Sequence, residues 1–221
     1  MLLEKLISGA QTGSDQAGLK VAKKLGIATG GWIPRGFKTE YGLNPSLAQY
    51  GLVETENESY YPRTVYNVRD SEATVYFASN WNSPGTKATL RAVHQFQRPV
   101  FKVDLKLPPP YVQMSKWLNE NKVKILNVAG HRESVHPGVG NFVEEYLTQV
   151  IKLYHEYSFR VYEQVQDEGP FLIKTYDGVM DAMNYVEERE KGPFGTCSMF
   201  YIDGPGGRWQ RDAGSWVKVG I

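Results

Sequence analysis

Cysteine is nearly absent from this chain. Cys197 is the only one among 221 residues, which excludes an intrachain disulfide and any cysteine-based metal site assembled within one chain. That scarcity fits a reducing compartment, and the expected location is the cytoplasm. Histidine is scarce as well. His94, His131, His136 and His155 are too scattered for a metal motif, so no metal site and no required cofactor is expected. No apolar run approaches the roughly 20 residues that span a bilayer. The opening Met-Leu-Leu-Glu-Lys has neither a long apolar h-region nor a cleavage-like site, so neither a membrane partner nor a signal peptide is expected. Neither sign of charge dominates: 25 basic residues face 24 acidic ones, for a net charge of +1. Nothing therefore calls for nucleic acid as a partner. Internal repeats and low-complexity tracts are lacking too.

What the chain does have is a glycine-rich turn between two periodic segments. Ser8-Gly9-Ala10-Gln11-Thr12-Gly13-Ser14-Asp15 follows the apolar run Leu2–Ile7 and precedes an amphipathic run from Gln16 to Leu25. This reads as strand, tight turn, helix. Such a turn aims several backbone N–H groups and the positive end of a helix dipole at one point. Gly9 and Gly13 let a ligand approach backbone with no Cβ in the way. Thr12 can donate a hydroxyl, and Ser14 or Asp15 can cap the helix. The expectation is a phosphate or similar oxyanion at this loop, with a ligand-free βα turn as the alternative. Asp15 repels an anion unless it caps the helix or faces a ribose.

The same grammar recurs. Leu19, Ala22 and Leu25 repeat at helical spacing, and Gly26 follows as a C-cap. Ile27–Trp32 reads as a short strand closed by Pro34. Residues 36–60 are polar and without periodicity, so a lid or a plain surface excursion is expected. Arg63–Asp70 reads as a short helix and Ala73–Ala78 as a buried parallel strand. The polar loop Ser79–Thr86 leads into a helix over Lys87–Gln97. Pro99–Leu105 is the next strand, Pro108–Pro110 a stiff step, Val112–Glu120 a short helix, and Lys124–Gly130 a fifth strand. A long helix from Asn141 to Glu156 carries an apolar stripe that includes Tyr146, Val150 and Tyr154. That stripe is a candidate homo-oligomer interface as well as part of the core. The alternation predicts an α/β fold of Rossmann-like type, a doubly wound, mainly parallel sheet with helices on both faces. Ligands in such sheets sit beyond the carboxyl ends of the strands, where loops 8–15, 79–86 and 127–134 all fall.

The character changes after this domain, taken as residues 1–157. Residues 158–221 read as a small α+β appendage of unknown role. Strands are expected over Arg160–Val165, Phe171–Thr175, Cys197–Ile202 and Ser215–Val219, with a helix over Tyr176–Glu190. Asp203-Gly204-Pro205-Gly206-Gly207 reads as a hairpin turn joining the last two strands. Nucleotide contact by Gly206-Gly207-Arg208 is the less favoured alternative.

Five blocks resemble one known family, in the right order across residues 5 to 155. They are Gly9-Ala10-Gln11-Thr12-Gly13-Ser14-Asp15, Gly30-Gly31-Trp32-Ile33-Pro34-Arg35-Gly36, Asn67-Val68-Arg69-Asp70-Ser71, Ser83-Pro84-Gly85-Thr86 and Leu126-Asn127-Val128-Ala129-Gly130-His131-Arg132-Glu133-Ser134. The family is the circularly permuted YpsA-type SLOG family, some of whose members carry the name molybdenum carrier protein. The resemblance implies a Rossmann-like fold related to the Lonely-Guy phosphoribohydrolases and to DprA-like proteins. That superfamily binds nucleotides and nucleotide-derived ligands, or cleaves their N-glycosidic bond. The family usually has glycine where this chain has Ala10 and Pro84, and a basic residue in place of Gln16. The hydrolase branch follows its Gly-Thr turn with a catalytic glutamate. Here Gly85-Thr86 is followed by Lys87-Ala88-Thr89-Leu90-Arg91, with no acid.

These readings converge on a nucleotide-type small ligand. Gly9, Thr12, Gly13, Gly85 and Thr86 are expected to donate to phosphate, and Arg69 or Arg132 to clamp it. Trp32 is expected to stack on a base. Asp15, Asp70 or Glu133 would accept from ribose hydroxyls. The matched blocks add Gln11, Pro34, Arg35, Asn67, Ser83, Asn127 and Gly130 as expected ligand contacts. Three functions follow. The favoured one is a sensor or sequestering protein for a nucleotide. The second is an N-glycosidic-bond hydrolase with Asp70 and Glu133 as catalytic carboxylates, since an oxocarbenium-like transition state wants such groups. The third is an oxyanion or molybdenum-cofactor carrier, in which a nest of N–H groups holds the anion.

Overall fold

Lys5–Ser8 (β1) lies inside a six-stranded, wholly parallel sheet. The computed structural model describes residues 3–156, 159–165, 170–176, 179–191, 198–204, 207–212 and 215–219. By contacts the chain divides into two units, one being Leu3–Lys152 and the other including Leu153–Ile221. The expected boundary at residues 157–158 lies outside the described residues.

In the first unit, β1 leads into helix α1 (Ser14–Lys24) and strand β2 (Ala28–Ile33). A two-residue hairpin, β3 (Lys38–Thr39) with β4 (Gly42–Leu43), comes next. A 3-10 helix (Pro45–Tyr50) and strand β5 (Leu52–Glu54) complete this excursion. Helix α2 (Tyr60–Arg69), β6 (Ala73–Ala78), α3 (Pro84–Gln95), β7 (Val100–Asp104), α4 (Tyr111–Glu120), β8 (Ile125–Gly130) and α5 (Val139–Glu156), whose end from Leu153 on counts with the second unit, follow. The strand order is β5-β2-β1-β8-β6-β7. All six residues of β6 are buried, as a strand covered on both faces requires. Helix α1 lies so close to β8 that a Cβ on Gly18 would sit 2.8 Å from Val128 Cβ. It ends at Gly26, φ +72°, where Ile27 N–H bonds back to Ala22 O at 2.9 Å. This is the glycine stop that the sequence announces.

Two expectations need correction here, and one is narrowed. Residues 36–60 are not irregular: they hold a hairpin, a 3-10 helix and the edge strand β5, which pairs with β2. These elements are too short to show a period. Helix α2 starts at Tyr60 rather than Arg63, because the Ser59 hydroxyl accepts from Tyr61 N–H at 3.4 Å and Pro62 is tolerated in a first turn, whose N–H groups have no helical partner. The apolar stripe of α5 is spent inside the chain. Tyr146, Val150 and Tyr154 are each at most 1% exposed, and the Tyr146 ring packs against Phe77, Tyr111 and Phe142.

The second unit is a five-stranded antiparallel sheet with one helix. Strands β9 (Phe159–Val165) and β10 (Phe171–Tyr176), helix α6 (Val179–Glu190), and strands β11 (Ser198–Gly204), β12 (Gly207–Asp212) and β13 (Ser215–Val219) follow in sequence. Their order is β10-β9-β11-β12-β13. Val161, Ala182, Val186, Phe200 and Ile202 form its core. Strand β12 went unread in the sequence, so the expected pairing of 197–202 with 215–219 is replaced by two hairpins. Its stretch Gly-Arg-Trp-Gln-Arg-Asp looks polar because Arg211 lies over the Trp216 ring and pairs with Glu190 at 3.2 Å. Tyr176 belongs to β10, not to the helix. Arg208 pairs across the hairpin with Asp203, which suits the turn reading. Cys197 and the Pro205-Gly206 step lie outside the described residues.

Candidate functional site

Strands β1, β8 and β6 are neighbours, so the loops leaving their carboxyl ends meet. His131 ties them together. Its N–H donates to Phe77 O at 2.9 Å, its carbonyl accepts from Ser14 N–H at 3.1 Å and from the Ser14 hydroxyl at 3.0 Å. Its Nε2 accepts from Asn80 N–H at 3.2 Å. Burial, then the nearby His136, push this imidazole below its usual range, which keeps Nε2 free to accept. In the glycine loop itself Ala10 has φ +51°, a region glycine enters without strain.

One face of the loop opens on a cavity of about 280 Å³. Gln11, Asp15, Tyr60, Arg63, Thr64, Tyr76, Gly85, Gly130 and Arg132 are among its lining residues. Asp15 is 3% exposed, and neither it nor Ser14 caps α1 as expected: the N-cap position is Gly13, with no side-chain cap bond. Asp15 Oδ2 receives Arg63 Nη1 at 2.8 Å and Gln11 N–H at 3.3 Å. Burial pushes the carboxyl above the usual range, against the pull of Arg63. The Arg63 guanidinium fills the space of a Cβ on Gly9, with Nη1 only 1.7 Å from that position. The missing Cβ of Gly9 thus leaves room for Arg63. Gly85 has no atom within 4 Å of its would-be Cβ and faces open space. Arg132 stacks over the Tyr60 ring, 5.0 Å from its centroid, with Arg63 at 5.9 Å. Two buried donors here have no acceptor: Gln11 Nε2 and Arg63 Nε. The Gln11 amide is fixed by its other end, since Oε1 accepts from Thr12 N–H at 3.0 Å and Glu40 N–H at 2.8 Å.

Thr12 and Gly13 face the opposite way. They line a second cavity of about 430 Å³ with Thr39, Tyr41 and Glu133. A Cβ on Gly13 would lie 2.7 Å from Glu133 N, His131 O and Val139 Cγ1, so this glycine too admits protein. The Thr12 hydroxyl donates to Glu40, whose carboxylate also accepts from the Ser134 hydroxyl and, at 3.4 Å, from Ser134 N–H. Partial burial pushes the Glu40 carboxyl up. The bonds from Ser134 and Thr12, with Arg132 nearby, outweigh that and hold it below the usual carboxylate range.

Several expected contacts lie elsewhere. Glu133 accepts from Gly138 N–H and, at 3.1 Å, from Gly140 N–H, so it caps α5. Asp70 binds Arg69 Nε at 2.6 Å and Trp32 Nε1 at 2.7 Å. These partners hold it below the usual carboxylate range, the bond from Arg69 contributing most. Trp32, Arg69 and Asp70 form a surface cluster in which Arg69 lies 4.7 Å from the Tyr66 ring centroid, and none of the three lines either cavity. Asn67 is spent on Trp32 N–H and carbonyl, at 2.8 and 2.9 Å. Pro34 is buried, and exposed Arg35 donates its N–H to Asn57 O at 3.0 Å. Ser83 caps α3 by accepting from Thr86 N–H at 3.2 Å, with the two hydroxyls 2.7 Å apart. Asn127 bridges the sheet to the Thr74 hydroxyl at 3.2 Å. Sequence reasoning in turn missed Arg63, Tyr60, Tyr76 and Glu40. Tyr60, Arg63 and Thr64 stand three and four residues apart, one helix face. That signal was hidden by starting the helix after Pro62.

No group of three or more His, Cys, Asp or Glu among the described residues could hold a metal ion, and no described helix is long and apolar enough to cross a membrane. The parallel sheet with its helices defines a Rossmann-like α/β protein. Residues 6–151 match the model of the circularly permutated YpsA SLOG family, and the chain belongs to that family. A similar solved structure is the 1.45 Å crystal structure from Syntrophus aciditrophicus SB named "Putative molybdenum carrier protein". It is 31% identical, with a TM-score of 0.62, over 67% of this chain and 94% of that one. No curated protein matches the chain.

Proposed function

We propose that the chain binds a small anionic ligand with a planar ring, of nucleotide type, in the cavity beside Arg63, and that it holds rather than cleaves it. The observation that carries this reading is the convergence of two guanidiniums, Arg63 and Arg132, and the Tyr60 ring on that cavity. Arg63 and Arg132 can clamp a phosphate in charge-assisted fashion. Tyr60 offers a ring face for a base, and Asp15 an acceptor for a ribose hydroxyl. At about 280 Å³ the cavity lies at the small end of ligand pockets, which run from about 300 to 1,000 Å³, so it has room for one nucleotide at most. Holding is favoured over hydrolysis because Glu133 caps a helix, Asp70 is tied to Arg69, and no acid follows Gly85-Thr86. Self-association would need a face other than the α5 stripe, and the cytoplasm remains the proposed location.

A second reading is oxyanion carriage. The same two guanidiniums suit a tetrahedral anion such as molybdate, and the name of the Syntrophus structure favours it. Calorimetry and thermal shift with a nucleoside monophosphate and with molybdate separate the two, alongside chromatography for free base. Saturable monophosphate binding without free base supports the first reading. A response to molybdate alone transfers support to the second, and release of base transfers it to hydrolysis. No response to either anion overturns both binding readings.

A further inference from the structure

Helix α6 packs on one face of the antiparallel sheet in the second unit, a part of the chain that lies outside residues 6–151. Val161, Glu163, Phe200 and Ile202 alternate toward that face and are at most 5% exposed. The opposite face carries one residue from each strand in a single register row: Leu172, Tyr162, Tyr201, Gln210 and Val217. Leu172 and Val217 at the two ends of the row are 52% and 46% exposed, and Met199 beside it is 45% exposed. The solvated face of an antiparallel sheet is ordinarily polar, and a contiguous apolar face marks an interaction surface. We propose that this face is an interface between two copies of the chain, packed sheet on sheet about a two-fold axis. The inference goes beyond the reading above and does not depend on what fills the Arg63 cavity.

Charge, pattern and size together select a second copy as the occupant. Among the described residues that alternate to this face, the charged ones are Asp203 and Arg208, and they pair with each other at 2.7 Å, with Arg208 5.3 Å from the Tyr201 ring centroid. Those residues leave no unpaired charge to select a partner of opposite sign, and no free cation for the phosphates of a nucleic acid. The row reads apolar, tyrosine, tyrosine, amide, apolar across the sheet. A two-fold axis through Tyr201 lays it on its own copy, and uncharged groups meet whichever way the axis runs. Tyrosine and methionine are also residue types that interfaces favour. Sheets stack face to face in sandwiches in the same manner. Five strands about 4.8 Å apart, each of about six residues rising about 3.4 Å, make a face of roughly 24 by 20 Å. Two copies then cover about 1,000 Å² in plan, near the lower bound of about 1,200 Å² for a stable interface. The expected dimer is therefore a reversible one, dissociating at about 10–100 µM.

The test is sedimentation velocity of the full chain over about 1 to 300 µM, a range that brackets such a dimer. The parent is expected to pass from monomer to dimer across it. Leu172→Lys combined with Val217→Lys sets like charges against each other and is expected to weaken association at least about tenfold. Both side chains are exposed, so circular dichroism should show the fold retained. Met199→Lys is the second variant, with the same expectation, should the double one fail to fold. Leu107→Lys adds the same charge at a residue of the first unit that is 82% exposed, and is expected to dimerise like the parent. A parent that stays monomeric overturns the proposal and leaves the face to a different protein. A dimer that survives in the folded face variants overturns it too, as does an equal loss with Leu107→Lys.

Discussion

Arg63 Nη1 lies 2.8 Å from Asp15 Oδ2, and its guanidinium occupies the space where any residue but glycine at position 9 would place a Cβ. The acid that seemed to oppose anion binding is thus paired with a cation from helix α2. Both side chains are largely buried, at 13% and 4% exposure.

Arg63→Ala leaves Asp15 buried without its partner. Breaking a buried pair on one side costs about 3–5 kcal/mol. Urea unfolding is expected to register a loss of that order, and Asp15→Ala added to Arg63→Ala to recover part of it, as residues in contact do not add.

Two glycine substitutions separate structure from binding. Gly9→Ala forces the Arg63 guanidinium away and is expected to lower stability by about 1–3 kcal/mol, as overpacking does, together with nucleotide affinity. Gly85→Ala meets open space within helix α3. Its stability should hold or rise by up to about 1 kcal/mol, while the new methyl group narrows the cavity and weakens binding. Thermal unfolding and calorimetry on the same samples check both.

His131 makes stability depend on pH. Its folded-state value is depressed by burial and His136, so the unfolded chain binds the proton more readily. The contribution is present above the ordinary histidine value near 6.5 and is lost as pH falls through the lower folded value. Urea midpoints are expected to drop over that interval, and His131→Gln to flatten this part of the slope.

Arg132 and Glu133 adjoin in sequence but differ in role. Arg132→Ala removes a cavity cation and is expected to weaken monophosphate binding about 10–100-fold, the worth of a charge-assisted bond of about 1.5–3 kcal/mol, at little cost to stability. Glu133→Ala removes the α5 cap, costs about 1 kcal/mol and leaves affinity unchanged. A drop in affinity with Glu133→Ala would return that carboxylate to the binding site.

The parallel sheet was legible because its signals are local. The apolar run at Ala73–Ala78, the glycine stop at Gly26 and the loops ending three strands each follow from a few consecutive residues. The short elements between 36 and 60 were not, since two- and three-residue strands carry no period. Strand β12 was hidden by Arg211, whose inward position depends on Trp216 and Glu190 in other elements.

The order of strands and loops in the chain was enough to place the glycine turns at one edge of a Rossmann-like sheet, because right-handed βαβ connections allow few arrangements. What packs against each face of the first turn was decided only by folding. Arg63 and Glu40 lie 48 and 28 residues from Asp15 and Thr12, their partners in the turn. Pairing over such separations depends on where whole elements come to rest, and no local pattern of residue types encodes it.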